Sequence, residues 1–496
     1  MQTNLLIKRL APIARIRARL YSHFVEHLGN CTYPGMWVGP DSAIENLNGL
    51  RKYTLDRLRS VSEGTVYRWP GGCFADHYHW RDGVGDPGGR PVTRNIWWGG
   101  PETNQFGTHE FVRFAAELGA DTYICGNLGS GSEAEMMSWL EYCNAAEGEN
   151  SWAHERAGNG HPAPFGVKWW GVGNENWGCG GNMTAAEYAA AYRRYANYLD
   201  RMDLGVQLVG VGHTPDWNRE FMEAMQLERA LPTLHNLSLH RYLFNGGPDI
   251  GFSDADYYAL MSELQVVEDD IIRADGILSH HELPQSPVGI VFDEWGVWCR
   301  SAANLDSGIE QVNTVREAIC GAVILDYFTN WSHRVVMSNV AQTVNVLQCL
   351  VKVDGPDNWT TPNLDIFEFY RAHVGNNAVP VGIADAPLLA ERGDAGRPVQ
   401  QLSVSASVAP DTSSAAVCLT NLHLTEPLSV RARVVEAQIA SAGARVLTGA
   451  SPQSHNIARD PDRVHATDHP VRTEDGCLVL EIPAHSTVQA DLELLA

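Results

Sequence analysis

The sequence predicts an α/β protein in which an eight-stranded (β/α)8 TIM barrel precedes a smaller antiparallel β-sandwich of jelly-roll type. Up to residue 370, short apolar runs alternate with longer amphipathic stretches, as strands and helices do in a parallel barrel. Every Phe, Tyr and Trp precedes residue 371. The rest of the chain shows period-two alternation between polar clusters, typical of antiparallel strands with one solvated face. We expect the barrel to span 16–375 and the sandwich 376–496.

Eight apolar runs in the first part are predicted strands. They are Leu20–Phe24, Thr65–Arg68, Asp121–Gly126, Val167–Gly173, Val206–Val211, Leu237–His240, Gly289–Phe292 and Val335–Asn339. Amphipathic patterns between them predict helices, among them Thr108–Leu118, Glu133–Asn144, Thr184–Asp200, Asp256–Leu278 and Gln311–Thr329. In the second part, the alternating segments that predict strands include Gln401–Ser407, Leu428–Val434 and Leu478–Ile482.

The composition argues against several classes of protein. With 44% hydrophobic residues, the chain is not mainly disordered. The formal net charge of −23 argues against nucleic acid or an anionic membrane as the main partner, although solubility alone explains such a charge. Neither a secretory leader nor an apolar run of about 18 residues is present, so we expect a cytoplasmic protein. None of the ten cysteines forms a CxxC pair, which argues against a zinc ribbon.

Functional side chains of a barrel lie where its strands end at their C-terminal side. Polar residues collect at these positions in the sequence. They are Glu26 and His27, Arg68, Asn127, Asn174 and Glu175, His213, His240 and Tyr242, Asp293 and Glu294, and Asn339 and Gln342. Aromatic residues, among them Trp177, Trp295 and Trp298, are expected to form the floor of the same mouth.

Two of these carboxylates, Glu175 and Glu294, end strands four and seven, which lie nearly opposite across a barrel mouth. Glycoside cleavage needs two carboxyl groups that flank one bond. A single glutamate after an apolar run is ordinarily just exposed, and His240 alone would ordinarily be structural. Two glutamates in barrel register, with a His-x-Tyr segment between them, favour catalysis instead.

The surroundings of the two glutamates suggest different roles. The neighbouring Trp169, Trp170 and Trp177 are expected to raise the pKa of Glu175, as a general acid requires. Donors from His240 and Tyr242 are expected to keep Glu294 ionised as a nucleophile.

No metal or cofactor is expected. His77 and His79 have no Cys or carboxylate at metal-ligand spacing, and His213 is interpreted as structural. The Gly85–Gly89 cluster lacks the GKS/T end of a phosphate loop and is interpreted as a turn. An NAD-dependent glycosidase is disfavoured because no GxGxxG follows the first strand.

These residues belong to longer motifs by which the chain resembles glycoside hydrolase family 51, the α-L-arabinofuranosidases, over roughly residues 20 to 370. The motifs are Glu26-His27-Leu28-Gly29, Arg68-Trp69-Pro70-Gly71-Gly72, His79-Trp80-Arg81-Asp82-Gly83-Val84-Gly85, Glu102-Thr103-Asn104-Gln105-Phe106-Gly107, Gly173-Asn174-Glu175-Asn176, Ser238-Leu239-His240-Arg241-Tyr242, Phe292-Asp293-Glu294-Trp295 and Ala341-Gln342-Thr343-Val344-Asn345. The resemblance implies a C-terminal β-sandwich that an N-terminal strand completes. Here the segment 1–15 would supply that strand, from Asn4 to Lys8.

The resemblance also implies roles for individual residues. Glu175 matches the general acid/base and Glu294 the nucleophile. Six further residues match family positions that contact the furanose ring or orient the two catalytic carboxylates. They are Glu26, Arg68, Asn174, His240, Tyr242 and Gln342. Many members have a sugar-binding Asn where this chain has Cys73. A subset resembles this chain, with Cys there and a Trp-Gly-Cys-Gly segment, Trp177 to Gly180, after the acid/base.

The sequence therefore predicts a retaining exo-α-L-arabinofuranosidase that acts on terminal arabinofuranosyl groups of arabinan or arabinoxylan oligosaccharides. We expect Cys73, Trp177 and Trp298 to join the substrate-binding residues. Homo-oligomers, often hexamers, are usual in the family. The alternatives are a β-D-galactofuranosidase or an endo-β-glucanase with the same site, and a sugar-binding protein without activity.

Cys73 and Cys179 both belong to loops at the predicted mouth, after strands two and four. The adjoining glycines, such as Gly72 and Gly178, permit close backbone approach. We hypothesise a disulfide beside the sugar pocket, which requires Cα atoms within about 7 Å. The alternative is two unrelated thiols, which a reducing cytoplasm favours.

Overall fold

A computed structural model describes residues 2–227, 230–303 and 308–495. The chain divides into two compact units. The first unit comprises Ser22–His240 and Ile272–Glu294. The second comprises the N-terminal segment up to Tyr21, Arg241–Ile271 and the chain from Trp295 onward.

The strands are numbered in chain order. The first thirteen are β1 (Gln2–Ile7), β2 (Ser22–Phe24), β3 (Asn46–Leu47), β4 (Leu50–Arg51), β5 (Val66–Trp69), β6 (Thr93–Arg94), β7 (Pro101–Glu102), β8 (Asp121–Gly126), β9 (Trp169–Val172), β10 (Gln207–Val211), β11 (Asn236–Leu243), β12 (Gly289–Val297) and β13 (Val335–Val340). The others are β14 (Val351–Asp354), β15 (Asp357–Thr360), β16 (Asn377–Val379), β17 (Val381–Ala384), β18 (Leu388–Ala390), β19 (Val399–Gln400), β20 (Leu402–Val408), β21 (Ser414–Asn421), β22 (Leu428–Val434), β23 (Gln438–Leu447), β24 (Thr467–Asp468), β25 (Arg472–Glu474), β26 (Cys477–Ile482) and β27 (Ser486–Leu495).

The α-helices are numbered in the same way. They are α1 (Lys52–Ser62), α2 (Thr108–Glu117), α3 (Glu133–Asn144), α4 (Ser151–Gly158), α5 (Ala185–Arg201), α6 (Pro215–Ala224), α7 (Asp254–Glu263), α8 (Gln265–His281), α9 (Val315–Asn330) and α10 (Pro362–Tyr370). None of the helices in the described ranges has the length and apolar character needed to cross a membrane.

Eight strands close into the predicted barrel, in the order β10-β11-β12-β13-β2-β5-β8-β9. Neighbouring pairs are parallel, as in β5 with β8 and β8 with β9. The strands are almost wholly buried, which explains why each appeared in the sequence as an apolar run.

The C-terminal strands form two sheets that enclose an aliphatic core. One has the order β16-β20-β21-β27-β23-β24 and the other β17-β1-β22-β26-β25. Strand β1 lies in the second sheet, parallel to β22 and antiparallel to β17, so this sheet is not purely antiparallel. The core consists of Leu, Ile, Val and Ala side chains, in keeping with the absence of aromatic residues beyond Tyr370.

Three local expectations differ from the structure. The helix predicted over Asp256–Leu278 is two helices, α7 and α8, which adjoin at Leu264. The helix predicted from Gln311 begins at Val315, because the Thr314 side chain caps it in a capping box. The expected solvated face of strand β20 is covered, because its serines contact helix α9 within the second unit.

Candidate active site

The turn after strand β9 holds Glu175 in a conformation that few residues other than glycine adopt. Gly173 has φ +88° and Glu175 itself has φ +42°. A left-handed backbone at a glutamate costs free energy, and such strain is typical of functional sites. The surrounding contacts hold this turn, since the Asn174 N–H donates to Asp76 Oδ2 at 2.7 Å.

Glu294 lies on strand β12 and is buried. Its Oε1 accepts a hydrogen bond from Arg68 Nη1 at 2.8 Å. A Cβ at Gly72 would lie 2.9 Å from the same oxygen, so the glycine leaves room for the carboxylate. Burial raises the pKa of Glu294, as does the adjacent Glu175, while the charges of His240 and Arg68 oppose this rise.

His240 on strand β11 joins the two glutamates. Its Nδ1 lies 2.8 Å from Glu175 Oε1 and 3.6 Å from Glu294 Oε2. One carboxylate oxygen of each glutamate lies within 4.8 Å of the other and of the imidazole. Burial of the imidazole opposes charging, but Glu294 and Asp293 raise the pKa of His240 to about 10. A charged His240 donates from both ring nitrogens.

Asp293 and Arg68 form a buried ion pair beneath Glu294 and His240. Asp293 accepts hydrogen bonds from Ser238 Oγ at 2.6 Å and from the Tyr123 hydroxyl at 2.8 Å. Burial opposes ionisation, but Arg68 and His240 hold the pKa of Asp293 below its usual range. Arg68 also donates to Asn174 Oδ1 at 2.5 Å, which links this ion pair to the turn that carries Glu175.

Glu26, after strand β2, is placed by a loop that contains Trp98. The Trp98 indole N–H donates to Glu26 Oε1 at 2.9 Å. Asn95 accepts from the Trp98 backbone N–H and donates to the His27 carbonyl at 2.7 Å, which holds this loop against the motif. The His27 imidazole lies 2.7 Å from Glu102, the glutamate of another of the motifs.

Cys73 and Cys179 form a disulfide, with their Cα atoms 5.5 Å apart. The geometric requirement of the hypothesised bond is therefore met. The Cys179 sulfur lies 3.6 Å from Glu175 Oε2 and 3.9 Å from Asn174 Nδ2. The bond joins the loop after β5 to the turn that carries Glu175.

The remaining predicted binding residues fall into two groups. Trp177 stacks on His213 in the first unit, with ring centroids 3.8 Å apart. Tyr242, Trp298 and Gln342 belong to the second unit, where the Tyr242 and Trp298 rings pack edge to face at 5.2 Å. Gln342 is buried just after strand β13.

Among the described residues, two clusters each bring together three side chains that could hold a metal ion. The first consists of Cys73, Glu175 and Cys179, and the second of Glu175, His240 and Glu294. In the first, the disulfide occupies both sulfurs. In the second, a charged imidazole offers no lone pair to a metal, and Glu294 is already paired with Arg68. The donor set therefore suits acid/base and nucleophilic chemistry better than metal binding.

Glu175 contacts His240 and lies 3.6 Å from the Cys179 sulfur, and Trp170 packs against Trp139 of helix α3. His240 lies near Glu294 as expected, with its Nδ1 3.6 Å from Glu294 Oε2, and Arg68 is a second cation that pairs with Glu294, at 2.8 Å. Sequence reasoning assigned no role to Asp293, Trp98 or Asp76. Asp293 is part of the motif that contains Glu294, and Trp98 lies four residues before the motif that begins at Glu102, so their positions were the signal available for both.

Two family models match most of the chain. The profile of the alpha-L-arabinofuranosidase 1 domain matches residues 62–243, and that of the alpha-L-arabinofuranosidase C-terminal domain matches 293–486. An intracellular exo-alpha-L-arabinofuranosidase of Bacteroides ovatus is 33% identical over 487 residues, which covers 96% of this chain and 93% of the relative.

Solved structures are similar over nearly the whole chain. The GH51 arabinofuranosidase of Xanthomonas axonopodis pv. citri has a TM-score of 0.93 at 32% identity and covers 99% of this chain and 100% of its own. The alpha-L-arabinofuranosidase of Thermotoga maritima has a TM-score of 0.88 at 28% identity, with the same coverage. This chain therefore belongs to glycoside hydrolase family 51, the family of retaining α-L-arabinofuranosidases.

Proposed function

We propose that this enzyme removes terminal arabinofuranosyl groups from arabinan- or arabinoxylan-derived oligosaccharides by double displacement, with Glu175 and Glu294 as the catalytic pair. The observation that carries the proposal is their separation. One oxygen of each lies within 4.8 Å of the other, with His240 against both. Retaining enzymes place their two carboxyl groups about 5–5.5 Å apart, whereas inverting enzymes leave room for a water between them.

In the first step, Glu294 attacks the anomeric carbon while Glu175 gives its carboxyl proton to the glycosidic oxygen. The oligosaccharide leaves as an alcohol, and an arabinosyl ester of Glu294 remains. Arg68 at 2.8 Å and the charged His240 favour the ionised form of Glu294 that this attack requires.

In the second step, Glu175 is a carboxylate that takes a proton from water. The hydroxide equivalent attacks the anomeric carbon and frees Glu294. The hydrogen bond from His240 Nδ1 to Glu175 Oε1 stabilises this carboxylate. Asp293 fixes the other ring nitrogen at 3.1 Å and so orients the imidazole.

From the family resemblance, the residues expected to hold the sugar are Glu26, Arg68, Asn174, Tyr242, Gln342 and the aromatic rings of Trp177 and Trp298. The disulfide of Cys73 takes the place of an amide that many family members offer to a ring hydroxyl. We therefore propose that the disulfide lines the sugar site at this position and that one hydrogen bond to a ring hydroxyl is missing.

We further propose that the enzyme works in the cytoplasm, as a homo-oligomer such as a hexamer. The Bacteroides relative is named as intracellular, which supports this location. A cytoplasmic enzyme would meet short imported oligosaccharides rather than polymers, which suits exo action.

A substrate comparison tests the proposal. Rates are measured on the 4-nitrophenyl α-L-arabinofuranoside and β-D-galactofuranoside and on a β-glucan, and NMR follows the anomer that forms first. We expect preference for the arabinofuranoside and release of the α-anomer. Preference for the galactofuranoside or the glucan contradicts the substrate assignment, and first release of the β-anomer contradicts double displacement.

Two variants separate the roles of the glutamates. Glu294→Ala should abolish turnover of every substrate. Glu175→Ala should lower kcat/KM, which reports the first step, about 10²–10⁴-fold with a poor leaving group and much less with 4-nitrophenol, which leaves without protonation. Glu220→Ala, at an exposed position on helix α6, is the matched control. Equal losses on both substrates would remove Glu175 from the acid role.

A further inference from the structure

Asp76 is a buried carboxylate that the two catalytic steps do not use. It lies in the short 3-10 turn Ala75–His77 after strand β5, three residues beyond the disulfide cysteine Cys73, and is 5% exposed. A buried carboxylate is unfavourable unless hydrogen bonds compensate for the lost hydration, so its partners indicate its purpose.

The two oxygens of Asp76 receive four N–H donors from two other barrel loops. Oδ1 accepts from the backbone N–H of Leu128 and of Gly129, each at 2.7 Å, in the loop after strand β8. Oδ2 accepts from the backbone N–H of Asn174 at 2.7 Å and from the Asn176 side-chain amide at 3.1 Å, in the turn after strand β9. One side chain thus joins the loops of three successive strands.

The packing around Asp76 leaves no free space. A Cβ at Gly180 would lie 2.3 Å from Asp76 Oδ2 and 2.1 Å from the Asn174 carbonyl oxygen. A Cβ at Gly129 would lie 2.9 Å from Asp76 Cβ. Both glycines are needed for this close approach, so the loops are shaped around the carboxylate.

We propose that Asp76 is a positioning residue for proton transfer, because it holds the residues on both sides of Glu175 and so fixes the left-handed backbone that aims the Glu175 carboxyl group. This role rests on the proposed acid/base function of Glu175. The Asn174 N–H bond to Asp76 fixes the residue before the strained φ of +42°, and the Gly178 N–H bond to the Glu175 carbonyl at 2.7 Å closes the turn after it.

A carboxylate suits this position better than an amide. Four donors point at two oxygens, and an amide would present an NH₂ group to one of the two donor pairs. Burial raises the pKa of Asp76 to about 7, although the hydrogen bonds to its carboxylate lower the pKa in part. Asp76→Asn therefore removes one pair of contacts with almost no change in side-chain volume.

The test compares Asp76→Asn with the control Asp82→Asn, a half-buried aspartate six residues further along the chain. Each is assayed on 4-nitrophenyl and methyl α-L-arabinofuranoside. We expect Asp76→Asn to lower kcat/KM, which reports only the first, leaving-group-dependent step, at least about 30-fold on the methyl glycoside and less than about fivefold on the nitrophenyl glycoside. In a Glu175→Ala background, Asp76→Asn should cause no further loss on the nitrophenyl glycoside.

Equal losses on both substrates, or additive losses in the double variant, would overturn the proposal, because a merely structural defect lowers all rates alike. Should Asp76→Asn fail to fold by near-ultraviolet circular dichroism, Asn176→Ala removes one donor and must give the same substrate selectivity at smaller size. If Glu175→Ala alone lowered both rates equally, the proposed function of Glu175 would fail, which is a distinct result.

Discussion

Reduction of the Cys73–Cys179 bond should lower the stability of this enzyme substantially. The two cysteines are 106 residues apart in the chain, so the bond closes a long loop in the unfolded state. In the chain-entropy treatment, a crosslink around a loop of about 100 residues stabilises the folded state by about 5 kcal/mol. The other eight cysteines are free thiols, so a reductant has no other disulfide to cleave.

This free energy converts into a measurable melting temperature. The entropy of unfolding is about 2.1 cal/mol/K per residue, or about 1 kcal/mol/K for a chain of this length that unfolds as one unit. Loss of about 5 kcal/mol should then lower Tm by about 5 °C. If the first unit unfolds alone, fewer residues share the same loss and the fall is larger, about 10 °C.

The assay is differential scanning calorimetry with and without a phosphine reductant, with thiol titration to verify that the bond has opened. The Cys73→Ser/Cys179→Ser double variant should melt at the temperature of the reduced enzyme and should not respond to reductant. A verified reduction that leaves Tm within about 1 °C would refute the loop-entropy reasoning. The same samples should show a changed KM, because the Cys179 sulfur lies 3.6 Å from Glu175 Oε2.

Three further predictions concern other parts of the molecule. Burial raises the pKa of Asp326 to about 7, so the folded state binds this proton more tightly than the unfolded state, and stability should fall as pH rises from about 4 to 7. Asp326→Asn should flatten that part of a Tm–pH curve, and an unchanged slope would contradict the assignment. Trp98→Phe removes the donor to Glu26 and should lower kcat/KM by about 10–100-fold; an unchanged value would show that this hydrogen bond is dispensable. Cutting the chain near residue 375 should uncover the apolar faces of α9 and α10 and cause aggregation, whereas a soluble and fully active fragment would show that the barrel needs no sandwich.

The eight barrel strands could be predicted from sequence because each is a buried apolar run with a polar end. Asp121–Gly126 was predicted residue for residue, and the other runs were correct to within a few positions except at the far ends of β11 and β12. Those strands continue through His240 and Glu294, where polar residues interrupt the apolar pattern although the backbone stays extended.

The alternating pattern in the C-terminal strands predicts a polar face but does not say what that face contacts. Ser403 and Ser405 on strand β20 were expected to face water. They instead donate to Asp326 of helix α9 at 2.6 and 2.5 Å. Period-two patterning identifies a polar face but does not distinguish water from a buried carboxylate as its partner.

The proximity of Glu175 and Glu294 could be predicted because barrel register brings strand ends together. The residues that orient the pair could not. Asp76 lies in a turn without periodicity, and its four donors come from segments about 50 and 100 residues away in the chain. Such contacts depend on loop conformation, which no local pattern encodes.

The confinement of all aromatic side chains to residues before 371 has a spectroscopic consequence. Each of the fifteen tryptophans is in that part of the chain, so intrinsic fluorescence reports only on it. An early loosening of the sandwich strands would leave the emission unchanged and would have to be followed by far-ultraviolet circular dichroism or hydrogen exchange. Conversely, a fluorescence melt that precedes the circular dichroism melt would identify the aromatic-rich part of the chain as the first to unfold.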